Sequence, residues 1–213
     1  MKHLKSTIAS MKNRVDEPFC SELDLVACLE RHVFSLFPAV HAILREVPTS
    51  DGVADLVVGK SISRSRIRRL RTHFRHDCFS KSCRIAIPKH RVRMEDVFSE
   101  VIAIEAKLYD WSRGLYQASR YRQFAHRCYL ALGSTGVKGA LRHRRAFEEA
   151  NVGLIVVERD RSRVLISSSA LQPYAADSAG LISAQAVLRG PRLIRHRRLI
   201  EAPRPRPSTA LGA

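Results

Sequence analysis

Glu105 and Lys107 stand two apart at the end of the apolar run Val101-Ile102-Ala103-Ile104. The run is rich in β-branched residues and reads as a buried strand. Side chains alternate faces along a strand, so the acid and the lysine share one face while Ala106 points away. A carboxylate and an ammonium in such a place are costly unless paired, solvated or bound to a metal. Taken alone, the pair reads as an ion pair at a strand end. A third group changes that reading: Asp55 lies within the apolar stretch Val53-Ala54-Asp55-Leu56-Val57-Val58, where an acid needs a partner. Neighbouring strands are about 5 Å apart, so Asp55 and Glu105 can converge on one sheet edge. Two carboxylates that close repel unless a cation lies between them. Mg²⁺ suits such a pair, because it takes few carboxylates, several waters and phosphate oxygens. A nearby lysine can orient or help deprotonate a water, or stabilise charge developing on phosphorus.

The elements that must position these groups are legible in outline. Ser21 can cap a helix, with Asp24 in the position that completes a capping box. Leu25, Cys28, Leu29, His32, Val33 and Leu36 form its apolar stripe, and Pro38 ends it. Glu22 lies in its first turn, where the helix dipole favours an acid, while Glu30 reads as a surface residue. The stretches 40–47 and 53–58 flank Pro48-Thr49-Ser50-Asp51-Gly52, a turn by composition, and predict a β-hairpin. A basic segment follows, then a strand over 97–107. Asp110 can cap a helix over 112–132, with Leu115, Ala118, Ala125, Cys128 and Leu132 as its buried stripe, broken by Gly133-Ser134-Thr135-Gly136. A short helix over 138–150 carries Arg142, Arg144 and Arg145. The run 152–157 is a clear strand and 163–166 its edge partner. The order is helix, strand, strand, insertion, strand, helix, strand.

The 213 residues include 37 Lys and Arg against 20 Asp and Glu, a formal charge of +17. Arginine dominates the excess, and its planar fork suits phosphate. Nucleic acid is therefore the expected partner, ahead of an acidic membrane. Arg64, Arg68 and Arg71 share one face of a helix, and Arg66 and Arg69 an adjacent one; such a helix can lie along a DNA backbone. The start, Met1-Lys2-His3-Leu4-Lys5, lacks a signal peptide's apolar core, and no 18-residue apolar run occurs. A cytoplasmic protein without membrane association is expected. Five cysteines, an odd number at irregular spacing, do not form a secreted disulfide framework. Cys20, Cys28 and Cys128 fall on or beside apolar stripes and read as small buried hydrophobes.

The combination of Asp55 with Glu105-Ala106-Lys107 resembles the PD-(D/E)XK nuclease superfamily. Ten residues past Lys107, Gln117-Ala118-Ser119-Arg120-Tyr121 is similar to the Gln-x-x-x-Tyr motif of its RecB-like branch. The resemblance spans roughly residues 20–160. It implies an α/β, restriction-endonuclease-like three-layer core, with a mixed central sheet flanked by helices in αβββαβ order. It further implies a Mg²⁺-dependent deoxyribonuclease, with Mn²⁺ as substitute, leaving 5′-phosphate and 3′-hydroxyl ends. Asp55, Glu105 and the Ala106 backbone carbonyl would hold the metal, and Glu22 matches the accessory acid. Lys107 would serve the attacking water, while Gln117 and Tyr121 would position Lys107 or phosphate. Arg120 would join the arginines of the insertion on DNA. Two departures stand out. Ala54 replaces the eponymous proline, and the long gap between Asp55 and Glu105 requires an insertion.

The implied organisation is a basic lead-in at 1–18, a nuclease-like domain at 19–170 with a basic insertion at 59–96, a helical extension at 171–202 and a disordered Pro-Arg tail at 203–213. The insertion carries His73, His76, Cys78, Cys83 and His90, but its C-x4-C spacing lacks a second clean pair, so structural Zn²⁺ is a secondary reading. Roles in DNA repair or recombination, defence, or a mobile element fit the chemistry, and a homodimer is one way to reach both strands. The alternatives are a non-catalytic DNA-binding protein on the same fold and a basic RNA-binding protein.

Overall fold

The structure is a computed structural model that describes residues 19–40, 42–49, 52–61 and 98–175. Helix α1, Glu22–Leu36, starts where Ser21 accepts the Asp24 backbone N–H at 3.1 Å. The Asp24 carboxylate takes the Cys20 N–H at 3.3 Å and pairs with Arg159, so the capping box is shifted by one residue. The hairpin follows as β1, Ala42–Thr49, and β2, Gly52–Ser61. Strand β3 is Phe98–Lys107, and Asp110 caps helix α2, Trp111–Arg120, by accepting the Arg113 N–H at 3.0 Å. A 3-10 turn, Tyr121–Gln123, leads into β4, Arg127–Gly133. Then come α3, Ser134–Arg142, α4, Arg144–Ala150, β5, Val152–Val157, and β6, Ser162–Ile166.

The six strands form one mixed sheet in sequential order. β3, β4 and β5 run parallel, while β1, β2 and β6 pair antiparallel with their neighbours. Helix α1 packs on one face with Ile102, Ile104, Ala106 and Tyr129. Helices α2, α3 and α4 cover the other through Ala118, Val137, Ala140 and Phe147. The protein is thus an α/β fold of three layers. The two crossovers leave their helices on the same face, as right-handed connections between successively adjacent parallel strands must.

The expected helix over 112–132 is two elements. It stops at Arg120, and Cys128 and Leu132 belong to the central strand β4 instead of a helical stripe. The run Cys128-Tyr129-Leu130-Ala131-Leu132 is buried on both faces, so it lacks the alternation that marks a half-exposed strand. Tertiary bonds fasten the break: Arg122 donates to the His126 carbonyl at 2.8 Å, and the Val101 N–H donates to His126 Nδ1 at 3.0 Å. Ser134 and Gly136, expected to interrupt structure, lie in α3, and the single helix over 138–150 is resolved into α3 and α4. β2 extends through Gly59 and Lys60, which the expected insertion had claimed. Cys20 is exposed, unlike Cys28 and Cys128. Glu30 is not a free surface acid but pairs with Arg45. The arginines at 64–71, the His/Cys group at 73–90, the lead-in at 1–18 and all of the C-terminal extension and tail beyond 175 lie outside the described residues. Among the described residues no helix is long and apolar enough to cross a membrane.

Candidate functional site

Asp55 lies where the sheet comes apart. β2 and β3 pair from Ser61 and Phe98 as far as Leu56 and Ile104. Beyond that point Ala54 and Val53 stay with β1, while Glu105, Ala106 and Lys107 stay with β4. The split leaves backbone groups that need new partners. Asp55 supplies one: its Oδ2 accepts the Ala106 N–H at 2.8 Å. Tyr121 fills the gap further along. Its hydroxyl lies 3.0 Å from the Val53 carbonyl oxygen on one strand and against the Glu105 carboxylate on the other. It carries a single hydrogen and can serve one of these acceptors at a time.

The β1 side is irregular at the same level. The ladder has a gap between Arg45–Leu56 and Val47–Ala54, where Glu46 and Asp55 do not pair although the register resumes unchanged. Glu46 has φ 48°, a left-handed conformation that costs a non-glycine residue on the order of 1 kcal/mol. The pleat flips there: Leu44 and Val47 enter the same core although they are three residues apart. Asp55 is thereby released from regular pairing on both sides. It opens on a cleft of about 270 Å³ lined by Glu22, Leu23, Val26, Arg45, Glu46 and Asp55.

Glu105 is only 2% exposed, and its Oε1 accepts from Lys107 Nζ at 2.8 Å. The same ammonium lies 3.4 Å from Glu22 of α1, drawing the first helix to the sheet edge. Helix α2 presses on the lysine stem. A Cβ at Gly114 would fall 2.9 Å from Lys107 Cγ and 2.5 Å from Leu130 Cδ1, so only glycine lets the helix lie this close.

The electrostatics are unbalanced. Burial, and then the charge of Glu105, push the Asp55 carboxyl up to about 6, although the Ala106 N–H and Lys107 pull the other way. Burial would lower Lys107, but the bond and charge of Glu105, with Glu22 and Asp55 behind, outweigh it and raise its pKa. The ammonium therefore stays protonated at neutral pH. Tyr121 is raised by burial and by Glu105, which keeps its hydroxyl a neutral donor.

The fold thus brings together Asp55, Glu105, Ala106, Lys107, Tyr121 and Glu22 of the sequence-selected residues. Gln117 Oε1 is buried with no hydrogen-bond partner, and of the two expected contacts, Lys107 or phosphate, the one to Lys107 is not made. Arg120 stands over the Tyr116 ring, 5.7 Å from its centroid. Arg64, Arg66, Arg68, Arg69 and Arg71 are among the residues not described. Sequence reasoning missed Glu46 and Arg45, because a glutamate with positive φ leaves no compositional mark. It also missed the Val53 carbonyl, exposed only by the parting of two strands.

Among the described residues no three His, Cys, Asp or Glu side chains converge as a ready-made metal cluster. The acids at the split, Asp55, Glu105 and Glu22, are linked through the Ala106 N–H and the Lys107 ammonium and offer hard oxygens of the kind Mg²⁺ takes while keeping most of its waters. The raised pKa of Asp55 comes first from burial and second from the neighbouring Glu105 charge, and a cation between the two acids would offset the second.

No protein-family model and no curated protein matches this chain. Among solved structures, a protein of unknown function from Silicibacter pomeroyi is similar over 76% of this chain and 79% of its own, with 12% identity and a TM-score of 0.43.

Proposed function

We propose that the chain is a Mg²⁺-dependent deoxyribonuclease with a restriction-endonuclease-like core. The observation that carries the reading is the split between β2 and β3, across which Asp55 binds the Ala106 N–H while Lys107 binds Glu105. Asp55, Glu105 and the Ala106 carbonyl would hold Mg²⁺, with Glu22 able to complete the set. When bound, the metal would polarise the phosphate and make a bound water more acidic.

The chain's own residues have distinguishable tasks. Glu105 keeps Lys107 cationic and fixes its position. A permanently charged lysine is a poor base, so it serves by stabilising negative charge on the phosphate as the transition state forms, and by orienting water through its protons. Tyr121 holds the Glu105 carboxylate from the opposite side and fixes the width of the gap. The basic composition supplies attraction for the DNA backbone. Work in repair, recombination, defence or a mobile element suits this activity.

One observation favours a second reading, a DNA-binding protein without catalysis. Both oxygens of Glu105 already have partners, Lys107 and Tyr121. One assay separates the two. Purified protein and Lys107→Ala are incubated with linear and circular DNA in Mg²⁺ or EDTA. Metal-dependent cleavage lost in the variant supports the nuclease; binding without cleavage under any divalent metal sinks it.

A further inference from the structure

Helix α2 turns one face to the candidate site and another outward. Arg113, Tyr116 and Arg120 are spaced three and four apart and share that outer face. Tyr116 is 64% exposed, and Tyr109, two residues past Lys107 in the link to the helix, is 61% exposed. Two large aromatic rings standing in solvent on and beside one helix are not needed for packing. The Arg120 guanidinium lies over the Tyr116 ring, a cation–π contact that holds the ring upright on the helix. Aromatic rings interleaved with arginines are the chemistry of single-stranded nucleic acid binding: rings stack on unpaired bases, and guanidinium groups follow the phosphates. A duplex offers no free base faces to such rings.

We propose that the outer face of α2, with Tyr109 at its entrance and Tyr116 and Arg113 along it, is a stacking platform for single-stranded DNA. It leads a strand to or from the split at Asp55 and Glu105. The inference rests on the nuclease reading only for that last role. Charge complementarity selects the occupant: the chain carries a formal charge of +17, Arg113 and Arg120 flank Tyr116 on the helix, and the one acid beside Tyr109, Asp110, is engaged in capping α2 through the Arg113 N–H at 3.0 Å.

The test uses the full chain in EDTA, so that binding is read without cleavage. A fluorescein-labelled strand of about 15 nucleotides and the corresponding blunt duplex are titrated by anisotropy. Tyr116→Ala should weaken binding of the strand roughly tenfold and leave the duplex within about twofold, while Tyr116→Phe retains strand binding. Arg113→Ala should reduce the salt slope for the strand by about 0.7. The proposal is overturned if the wild-type chain does not bind the strand, if Tyr116→Ala binds it as tightly as wild type, or if strand and duplex weaken equally. Tyr116-dependent strand binding without cleavage in any metal would remove the nuclease reading alone. Metal-dependent cleavage by a Tyr116→Ala protein with undiminished strand binding would remove this one alone.

Discussion

Strand β3 carries a carboxylate centre near each end, and the two are built to opposite balances. Near its start, Glu100 meets two cations, Lys60 from β2 and Arg127 from β4. Burial pushes its pKa up, but the bonds from both cations outweigh this and hold it below the ordinary value. Near its end, Glu105, Asp55 and Glu22 share a single ammonium, Lys107. There the outcome is reversed, with Asp55 pushed up to about 6. Both centres would read as strand-borne salt bridges in a sequence. The difference is satisfaction: at Glu100 the regular ladder continues and charge is neutralised, whereas at Glu105 the ladder parts and negative charge is left in excess. An excess held in place by a fold is what a metal or a phosphate-bound cation would relieve.

The largest expected effect separates these two ends. On the proposed nuclease reading, Asp55→Asn should lower the initial rate of Mg²⁺-dependent DNA cleavage by about 100-fold or more, the scale of losing a charged group at the reacting centre. Lys107→Ala should match it. Glu100→Gln should leave the cleavage rate unchanged but lower stability by about 1–2 kcal/mol in urea unfolding, since it strands two cations at a site water still reaches. Equal loss of cleavage in Asp55→Asn and Glu100→Gln would mean that the two centres differ only in degree.

Much of the frame was legible because local signals agreed. The Ser21 cap, the Asp110 cap and the period of the α1 stripe announce their helices. The turn residues at 48–52 and the apolar runs either side announce the hairpin. The pairing of Asp55 with the Glu105 strand followed from adjacency in the chain order and motif spacing. β4 was not legible, because a central parallel strand buried on both sides shows no period of two, and alanine and leucine also suit a helix. Nothing between Tyr121 and Arg127 is glycine or proline, so the helix end is set by His126 and Arg122 contacts that only the folded chain provides. The parting of β2 and β3 was equally hidden. It depends on Glu46 adopting positive φ and on Tyr121 entering the gap, both decided by packing.

Tyr121 tests whether that gap is held open by one hydroxyl. Tyr121→Phe keeps the ring against Phe124 and the core while deleting the only group that reaches both Val53 and Glu105 among the described contacts. Loss of one hydrogen bond should cost about 1 kcal/mol in urea unfolding. The cleavage rate should fall by roughly tenfold, because Glu105 and hence Lys107 lose their fixed position. The control is Tyr129→Phe on β4, opposite Ile104 but in the α1-side core, where its hydroxyl interacts with Arg127 and not with Glu105; it should leave the rate unaltered. A Tyr121→Phe protein with wild-type cleavage would reduce the tyrosine to packing.

The smallest effect is the most diagnostic, because the two ends of β3 should answer pH in opposite directions. Glu100 has a folded pKa below its unfolded value, so its contribution is present above about pH 4.5 and is lost as pH falls. Asp55 has a folded pKa of about 6 against an ordinary 3.8, so the folded state holds its proton more tightly. Its contribution is complete below about pH 4 and is lost as pH rises through 6. Without metal, the ionised Asp55 therefore destabilises the protein at neutral pH. Asp55→Asn should be more stable than wild type in EDTA at pH 7, on the order of 1 kcal/mol once solvent screening of a partly exposed group is allowed for. The advantage should shrink toward zero by about pH 4, where wild-type Asp55 is itself protonated. Mg²⁺ should stabilise wild type and not the variant, as any ligand of the folded state must. An Asp55→Asn protein less stable than wild type at pH 7 would show that Asp55, like Glu100, is a satisfied structural charge.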